Sequence, residues 1–316
     1  MKTCLIVGAG IAGPTAARAL QRQGWRVQVA DKGRNVGGRM ATWRLGPMVF
    51  DHGAQFFTAR SPEFRREGER WLAEGSAAKW FGDPGHERYR SSNGMDGLAA
   101  HLGGAIEVRL GVTVRKISPA GGGWAAFSAR SEPLYADAVI VTAPVLQSVV
   151  ILGGLLTDGR QAELAGITYE PWLALLKTLM RPSGVPEPGY VRLDGDGVGC
   201  LAVISDNMKK GISNGPAAVT IHSTGEFARA HWDSDPEAVA ALMLEAARPY
   251  VGEPAAGWQL HRWRYSQPVM PYPSACLAME IGGAPLVLAG DAFGGRRVEG
   301  AYLSGLGAAR TLLLYY

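Results

Sequence analysis

An α/β fold assembled in pieces is predicted: a largely parallel sheet drawn from both ends and the middle of the chain, with a mostly antiparallel α+β unit inserted into it. Three observations predict it. The chain begins strand, glycine turn, helix, strand, with TCLIVG at 3–8, GAGIAG at 8–13 and WRVQVAD at 25–31, which is one βαβ unit. The apolar runs AVIVTA at 138–143 and PLVLAG at 285–290 have the same texture, that of strands covered on both faces. From 171 onward, strand-like runs are separated by long polar loops rich in proline and glycine, which reads as a second, antiparallel sheet.

The elements follow in order. Strand 3–8 enters the glycine turn, and a helix runs to about Gln23 with Pro14 in its first turn, where a missing N–H costs nothing. SPEFRREGERWLAEG is a helix capped by Ser61 with Pro62 at its first position. A short helix spans Gly94 to Leu102, and strands at 106–117 and 122–128 flank a hairpin turn at 121–123. The stretch Ala138 to Thr157 has no charge and nearly the length of a membrane span. Pro144, Gln147 and the Gly153-Gly154 pair interrupt it, so it reads as strand, turn and helix, and no membrane association is expected. WLALLKTLM, CLAVIS, AVTIHST and WQLHRWRY are strands, and a helix at 235–250 is capped by Ser234 or Asp235 with Pro236 just inside. No internal repeat is apparent.

Composition narrows the class of function. The 316 residues are 47% hydrophobic and 19% charged, a globular chain with room for one large or two ordinary domains. Thirty-two basic against 28 acidic residues give a net charge of +4 without a basic block or stripe, which argues against nucleic acid and suits a small anionic ligand. Cys4, Cys200 and Cys276 are isolated, so neither a disulfide framework nor a metal site is indicated, and a reducing cytoplasm is the expected location. The glycine loop starts at Gly8, and no signal peptide is expected before it. Oligomeric state is left open.

Gly8, Gly10 and Gly13 stand in the G-x-G-x-x-G spacing, between strand and helix, with Asp31 at the end of the next strand. In that context the glycines permit the turn, let a pyrophosphate touch backbone, and pack helix on strand. Asp31 suits ribose hydroxyls and disfavours a 2′-phosphate. DKGRNVGGRM then adds the Gly37-Gly38 pair and Arg39, which a plain NAD dehydrogenase does not need. An extended FAD does, because the chain passes beside its ribityl and pyrophosphate, and a guanidinium there is a fixed cation. A second glycine-rich loop, LAGDAFGGRRVEGAYLSG at 288–305, offers Asp291 to the ribityl hydroxyls and the backbone N–H groups of Val298 to Ala301 to the flavin pyrimidine edge, where a helix N-terminus favours negative charge. The two loops are read as the two ends of one cofactor site.

The set GAGIAG, DKGRNVGGRM, FDHGAQFFTAR, VIVTAP, HRWRYSQP and GDAFGGRRVEGAYLSG resembles the flavin amine oxidase superfamily and, within it, the renalases, over almost the whole chain. The resemblance implies a Rossmann-type FAD-binding domain of the glutathione-reductase-like kind (1–55, 94–150 and 270–316) and an inserted α+β substrate domain (56–93 and 151–269). It also implies non-covalent FAD, and oxidation of the 2- and 6-dihydro isomers of NAD(P)H by hydride transfer, with O2 reduced to H2O2. Cofactor contacts carried over or read from the motifs are Gly8, Gly10, Ala12, Gly13, Asp31, Lys32, Gly38, Arg39, Met40, Gln55, Val114, Gly290, Asp291, Val298, Glu299, Gly300 and Ala301. Substrate contacts are Phe56, Phe57, Thr58, Ala59, Arg60, His222 and Ala292.

Some residues admit two readings. His222 is a satisfied strand histidine or a polar group of the pocket, and Arg60 recognises a substrate phosphate or pairs with Glu63. Alternation puts His261, Trp263 and Tyr265 on one strand face and Arg262 and Arg264 on the other; the aromatic face either packs under the sheet or lines the substrate side of the flavin. Cys4 and Cys276 read as core, and no cysteine at 291–300 is available to tether the flavin. Residues 258–275 contain no lysine, whereas amine oxidation calls for help with a proton and hydride transfer from a dihydropyridine does not. An oxidase or dehydrogenase of an amine or another cyclic substrate is the alternative, and a non-catalytic flavin-binding protein the second alternative.

Overall fold

The structure, a computed structural model, describes residues 1–129, 131–193, 199–214, 218–252 and 257–316. Parts of the loops expected between the later strands lie outside these residues.

The N-terminal βαβ unit forms as read. Strand Thr3–Val7 pairs in parallel with Arg26–Ala30 on one side and with Ala138–Val141 on the other. Ala284–Leu288 adds in parallel to Ala138–Val141, and the hairpin partner Leu277–Ile281 closes that edge antiparallel. Glu107–Arg109 closes the opposite edge. Strands from the beginning, middle and end of the chain thus lie side by side in one six-stranded sheet. Their side chains, among them Leu5, Ile6, Val29, Val139, Ile140, Leu286 and Val287, are almost wholly buried, as a sheet covered on both faces requires.

On one face lie helices Ala12–Gln21 and Arg297–Leu313, which touch closely enough that a Cβ on Gly305 would sit 2.2 Å from the Ala12 carbonyl oxygen. Only glycine allows that approach. The other face is covered by a three-stranded sheet, Val114–Ala120, Gly123–Ser128 and Leu134–Ala136, together with helix Val145–Leu152.

The expected strand at 106–117 is divided. Glu107–Arg109 belongs to the six-stranded sheet and Val114–Ala120 to the three-stranded one, with Gly111 at φ 71 in the break between them. Alternation continued across the turn because both halves are strands. It could not show that they join different sheets.

The inserted unit is a five-stranded antiparallel sheet ordered Tyr190–Arg192, Leu201–Asp206, Ala218–Ser223, Tyr169–Thr178, Trp258–Pro268. Helix Pro236–Val251, capped by Asp235 accepting from Ala238 N–H, covers one face with Val239, Met243 and Ala247. Ser61 caps helix Pro62–Ala73 as expected. The chain segment 50–57 and the hairpin of Ala77–Phe81 with Arg88–Ser91 lie between the two units. Among the described residues, no helix is long and apolar enough to cross a membrane.

Candidate functional site

Gly8 sits at φ 116, and a Cβ there would meet Thr142 Oγ1 at 2.4 Å. A Cβ on Gly13 would meet the Gly8 carbonyl oxygen at 2.0 Å. Gly10 differs: its nearest neighbour would be the Gly37 oxygen at 3.9 Å. Gly8 and Gly13 therefore hold turn and helix together, while Gly10 keeps backbone open to a ligand. The following helix has no side-chain cap, and neither does Arg297–Leu313; in the first, Gly13 N–H is taken by the Gly10 carbonyl and Pro14 has none, which leaves the N–H of Ala12 for a ligand. The close approach at Gly305 packs the two helices together, and Ile11 and Val298, at their beginnings, share one buried cluster. That is the physical reason for two glycine loops.

Asp31 Oδ2 accepts from Ala9 N–H at 2.6 Å and Oδ1 from Gly33 N–H at 2.6 Å, leaving further lone pairs for ribose hydroxyls. Val112 N–H donates to the Asp31 carbonyl, which draws Val114, buried beside Ala30 and Val141, to the same end. Lys32 lies outside, exposed, reaching Gln147 at 3.2 Å.

At the other end Arg39 and Asp291 form a two-pronged ion pair of 2.5 and 2.6 Å. Burial opposes the Arg39 charge, but Asp291 and Tyr169 together outweigh it and raise the arginine's pKa. Burial, seconded by Asp291, pushes the nearby Tyr169 hydroxyl up to about 12. Met40 and Val298 are buried in one cluster with Ile11, and Ala301 packs against it. Gly290 N–H is tied to Ser304. Gly38 opens the short turn Gly38–Met40, Glu299 and Gly300 lie in the first turn of helix Arg297–Leu313, and the Glu299 carboxylate accepts from the backbone N–H of Arg60 and Ser61. Gln55 donates to the Asp51 and Gly53 carbonyls, while its buried Oε1 has no partner. A ring of N–H donors, an ion pair and an unpaired amide oxygen fits a dinucleotide bearing a polar ring system.

The chain matches the model of an NAD(P)-binding Rossmann-like domain over residues 6–67 and that of flavin containing amine oxidoreductases over residues 66–313. It belongs to the flavin-containing amine oxidoreductase family. Membership makes it an FAD-dependent oxidoreductase. Solved structures similar over nearly the full length of both chains include a putative protoporphyrinogen oxidase from Exiguobacterium sp. 255-15 (TM-score 0.70, 14% identity, 99% of this chain and 98% of that one). Cyclohexylamine oxidase from Brevibacterium oxydans is similar at TM-score 0.71 and 15% identity, over 98% of each chain. Putrescine oxidase bound to putrescine is similar at TM-score 0.68 and 16% identity, over 99% of each. These likenesses concern the fold. A 1-hydroxycarotenoid 3,4-desaturase from a Flavobacterium is 41% identical over 58 residues, 18% of this chain and 12% of that protein's length.

The inserted sheet turns one face toward segment 50–57. Register puts His261, Ala174 and His222 in one row. Trp263 Nε1 and His222 Nε2 both reach the His52 carbonyl, at 2.7 and 3.1 Å. The rings of His52 and Trp263 stack at 5.3 Å, and His261 meets both. Arg262 and Arg264 lie on the opposite side, bonded to the Trp232 and Ser234 carbonyls and packed on the Trp232 ring. The aromatic face of that strand is therefore turned inward, toward the segment that follows Arg39. Burial keeps the histidines neutral: His52 falls to about 3, with help from His261 and His222, and His222 to about 4 against the pull of the His52 carbonyl.

Two expected substrate contacts, Phe57 and Ala292, need correction, and so does the alternative pairing of Arg60 with Glu63. Phe57 is 2% exposed and packed among Phe64, Trp71 and Tyr89. Only Phe56 turns the other way, to Trp80, Phe81 and Tyr190. Adjacent residues of an extended segment point to opposite sides, so the two phenylalanines cannot form one stacking surface. Ala292 is buried in the core near Val145 and Phe293, its carbonyl taken by Tyr272 N–H. Its place is set by the turn Asp291–Gly294, which sequence reading did not foresee. Arg60 is exposed and makes no pair with Glu63, which instead lies 3.8 Å from Arg310. Thr58, Ala59 and Arg60 do line one cleft of about 40 Å³, with Gly85, His86, Glu87 and Arg88.

Sequence reading did not single out His52, Trp172, Asp51 or Lys210. Trp172 was legible in principle, two positions from Ala174 on the same strand face. Lys210 was not, because its partner Asp51 is far away in sequence.

Proposed function

We propose that the chain is a renalase-like oxidase that converts the 2- and 6-dihydro isomers of NAD(P)H to NAD(P)+, with O2 reduced to H2O2 and FAD held non-covalently. When bound, FAD would supply the acceptor for the hydride and the means of passing its two electrons to O2. The protein's part is to hold a flat ring against it and exclude water.

One observation carries this reading. Among the described residues, the strand positions facing segment 50–57 (Trp172, Ala174, Leu176, Thr220, His222, His261, Trp263) include neither lysine nor carboxylate. The nearby carboxylates Asp51 and Asp291 are each already held by a cation, and the histidines are neutral. An ammonium finds no free counter-ion there, and the neutral histidines, lowered by burial to about 3 and about 4, are poor acceptors for its proton. A neutral dihydropyridine needs neither, since hydride leaves as it aromatises.

An anaerobic titration tests the proposal. The 2- and 6-dihydro isomers should bleach the flavin rapidly, ordinary NADH slowly, and air should restore the colour with release of H2O2. Faster bleaching by simple amines would establish the amine oxidase alternative instead.

A further inference from the structure

Five buried side-chain atoms without a partner, His52 Nδ1, Gln55 Oε1, Trp172 Nε1, Ser205 Oγ and His222 Nδ1, lie on segment 50–57 or on the sheet. Two of them have their chemistry fixed by their surroundings. His222 is 2% exposed, and its Nε2 points at the His52 carbonyl, which only accepts. Nε2 therefore carries the proton, and Nδ1 of the neutral ring is a bare acceptor. Trp172 Nε1 is a donor and nothing else. The two rings are neighbours, 5.7 Å between centroids and inclined at 54°, yet neither atom satisfies the other. A buried donor beside a buried acceptor, both unpaired, is costly unless a ligand completes them.

We infer that Trp172 Nε1 and His222 Nδ1 together bind a primary carboxamide on the substrate ring, the amide oxygen accepting from Trp172 and the amide NH2 donating to His222. A carboxamide is the small planar group that offers one acceptor and one donor side by side. A carboxylate offers no donor to His222, and an ammonium nothing to Trp172. The inference rests on the functional reading above and deepens it: the pair selects among flat rings by their substituent. The His52 carbonyl is the positioning element, since accepting from His222 Nε2 fixes the imidazole tautomer, while Trp263 Nε1 donates to the same oxygen.

The test uses the FAD holoenzyme and three flat pyridines, nicotinamide, 3-acetylpyridine and nicotinate, with binding read from the perturbed visible spectrum of the flavin. Nicotinamide should bind roughly fivefold to tenfold more tightly than 3-acetylpyridine, the worth of one neutral hydrogen bond in a buried site, and nicotinate more weakly still. In His222→Phe, which keeps a flat ring, removes the acceptor and leaves the His52 carbonyl to Trp263, the preference for amide over ketone should vanish. In Trp172→Phe, which keeps a ring, both should weaken by a similar factor and the preference should survive. Equal binding of amide and ketone by the unaltered protein overturns the inference even where dihydro isomers still bleach the flavin. Bleaching by amines alone overturns the functional reading, whatever the pyridines do. Variants that leave all three affinities unchanged assign the two atoms to a water. A flavin spectrum shifted in either variant before any pyridine is added assigns them to the cofactor. Each of these last two results overturns the inference.

Discussion

Lys210 Nζ lies 2.5 Å from Asp51 Oδ2 with both side chains wholly buried, and this pair fastens the inserted sheet to the segment that carries His52 and Gln55. Asp51 is used at every side: Oδ1 accepts from Thr42 and Met95, and its backbone N–H donates to Asn207. Lys210 also lies 5.0 Å over the Trp80 ring. Removing one partner of such a pair strands the other charge in the interior. Lys210→Met should therefore cost about 3–5 kcal/mol. Lys210→Met with Asp51→Asn should cost less than the single change, since no charge is left behind. Urea unfolding followed by flavin release and circular dichroism measures both. A double variant weaker than the single one would show that Asp51 matters for its hydrogen bonds and not for its charge.

Asp31 closes the adenosine end by accepting from Ala9 and Gly33. Asp31→Ala should weaken FAD retention by roughly 1–3 kcal/mol, through loss of ribose bonds and of the carboxylate that orders the glycine loop. The visible spectrum of the flavin that remains should hardly change, because the isoalloxazine is expected at the Asp291 end. Titration of the apoprotein with FAD reads the affinity, and an unaltered value would place the ribose elsewhere.

The buried histidines make a pH prediction. His52 and His222 titrate near 3 and 4 in the folded chain against 6.5 unfolded. As pH falls below about 6.5 the unfolded chain takes up the protons first, so stability declines. Each group contributes up to about 1.4 kcal/mol per pH unit until its folded value is reached. Stability should thus be level above about pH 6.5 and fall steadily toward about pH 4. His222→Gln should make that fall shallower. A slope identical in the variant would mean that His222 does not stay neutral when folded.

Local signals in the sequence were sufficient for the framework, and only for the framework. Gly8, Gly10 and Gly13, the Ser61 cap, the Asp235 cap and the uncapped start near Val298 all act within a few residues of themselves, and their roles are readable there. Strand alternation correctly grouped His261 with Trp263. The same rule, applied to segment 50–57, separates Phe56 from Phe57, which turn to opposite sides of the extended chain. What alternation cannot supply is the partner across space. The His52 carbonyl serves two side chains from two strands of another sheet, and Lys210 meets a carboxylate 159 positions away. Such contacts are fixed by how the two units pack.

The FAD itself should come free. The resemblance implies non-covalent binding, and 291–300 offers no cysteine for a thioether. Among the contacts at the flavin end is the Arg39–Asp291 pair. Heat or acid should release yellow supernatant from the precipitated protein. Asp291→Asn should loosen the cofactor, as it leaves the Arg39 guanidinium without its carboxylate. Flavin that sediments with the protein would contradict non-covalent binding.

The substrate's anionic tail is the remaining expectation. The cleft of Thr58, Ala59 and Arg60 also presents His86 and Arg88, and Arg88 packs on the Phe56 and Phe81 rings, which leads from the aromatic cluster out to the cleft. The backbone of Arg60 is anchored, its N–H held by the Glu299 carboxylate of the flavin-end loop, while its side chain is exposed. A guanidinium so placed suits a pyrophosphate leaving the buried ring site. Contacts to a tail act alike in ground and transition states, so Arg60→Ala should raise KM roughly threefold to tenfold with kcat nearly unchanged. The KM of the unaltered protein should rise with salt more steeply than that of the variant, because an exposed charge pair is screened. Stopped-flow reduction at several ionic strengths measures both. A fall in kcat with KM constant would show instead that Arg60, through Glu299, holds the flavin loop and does not touch the tail.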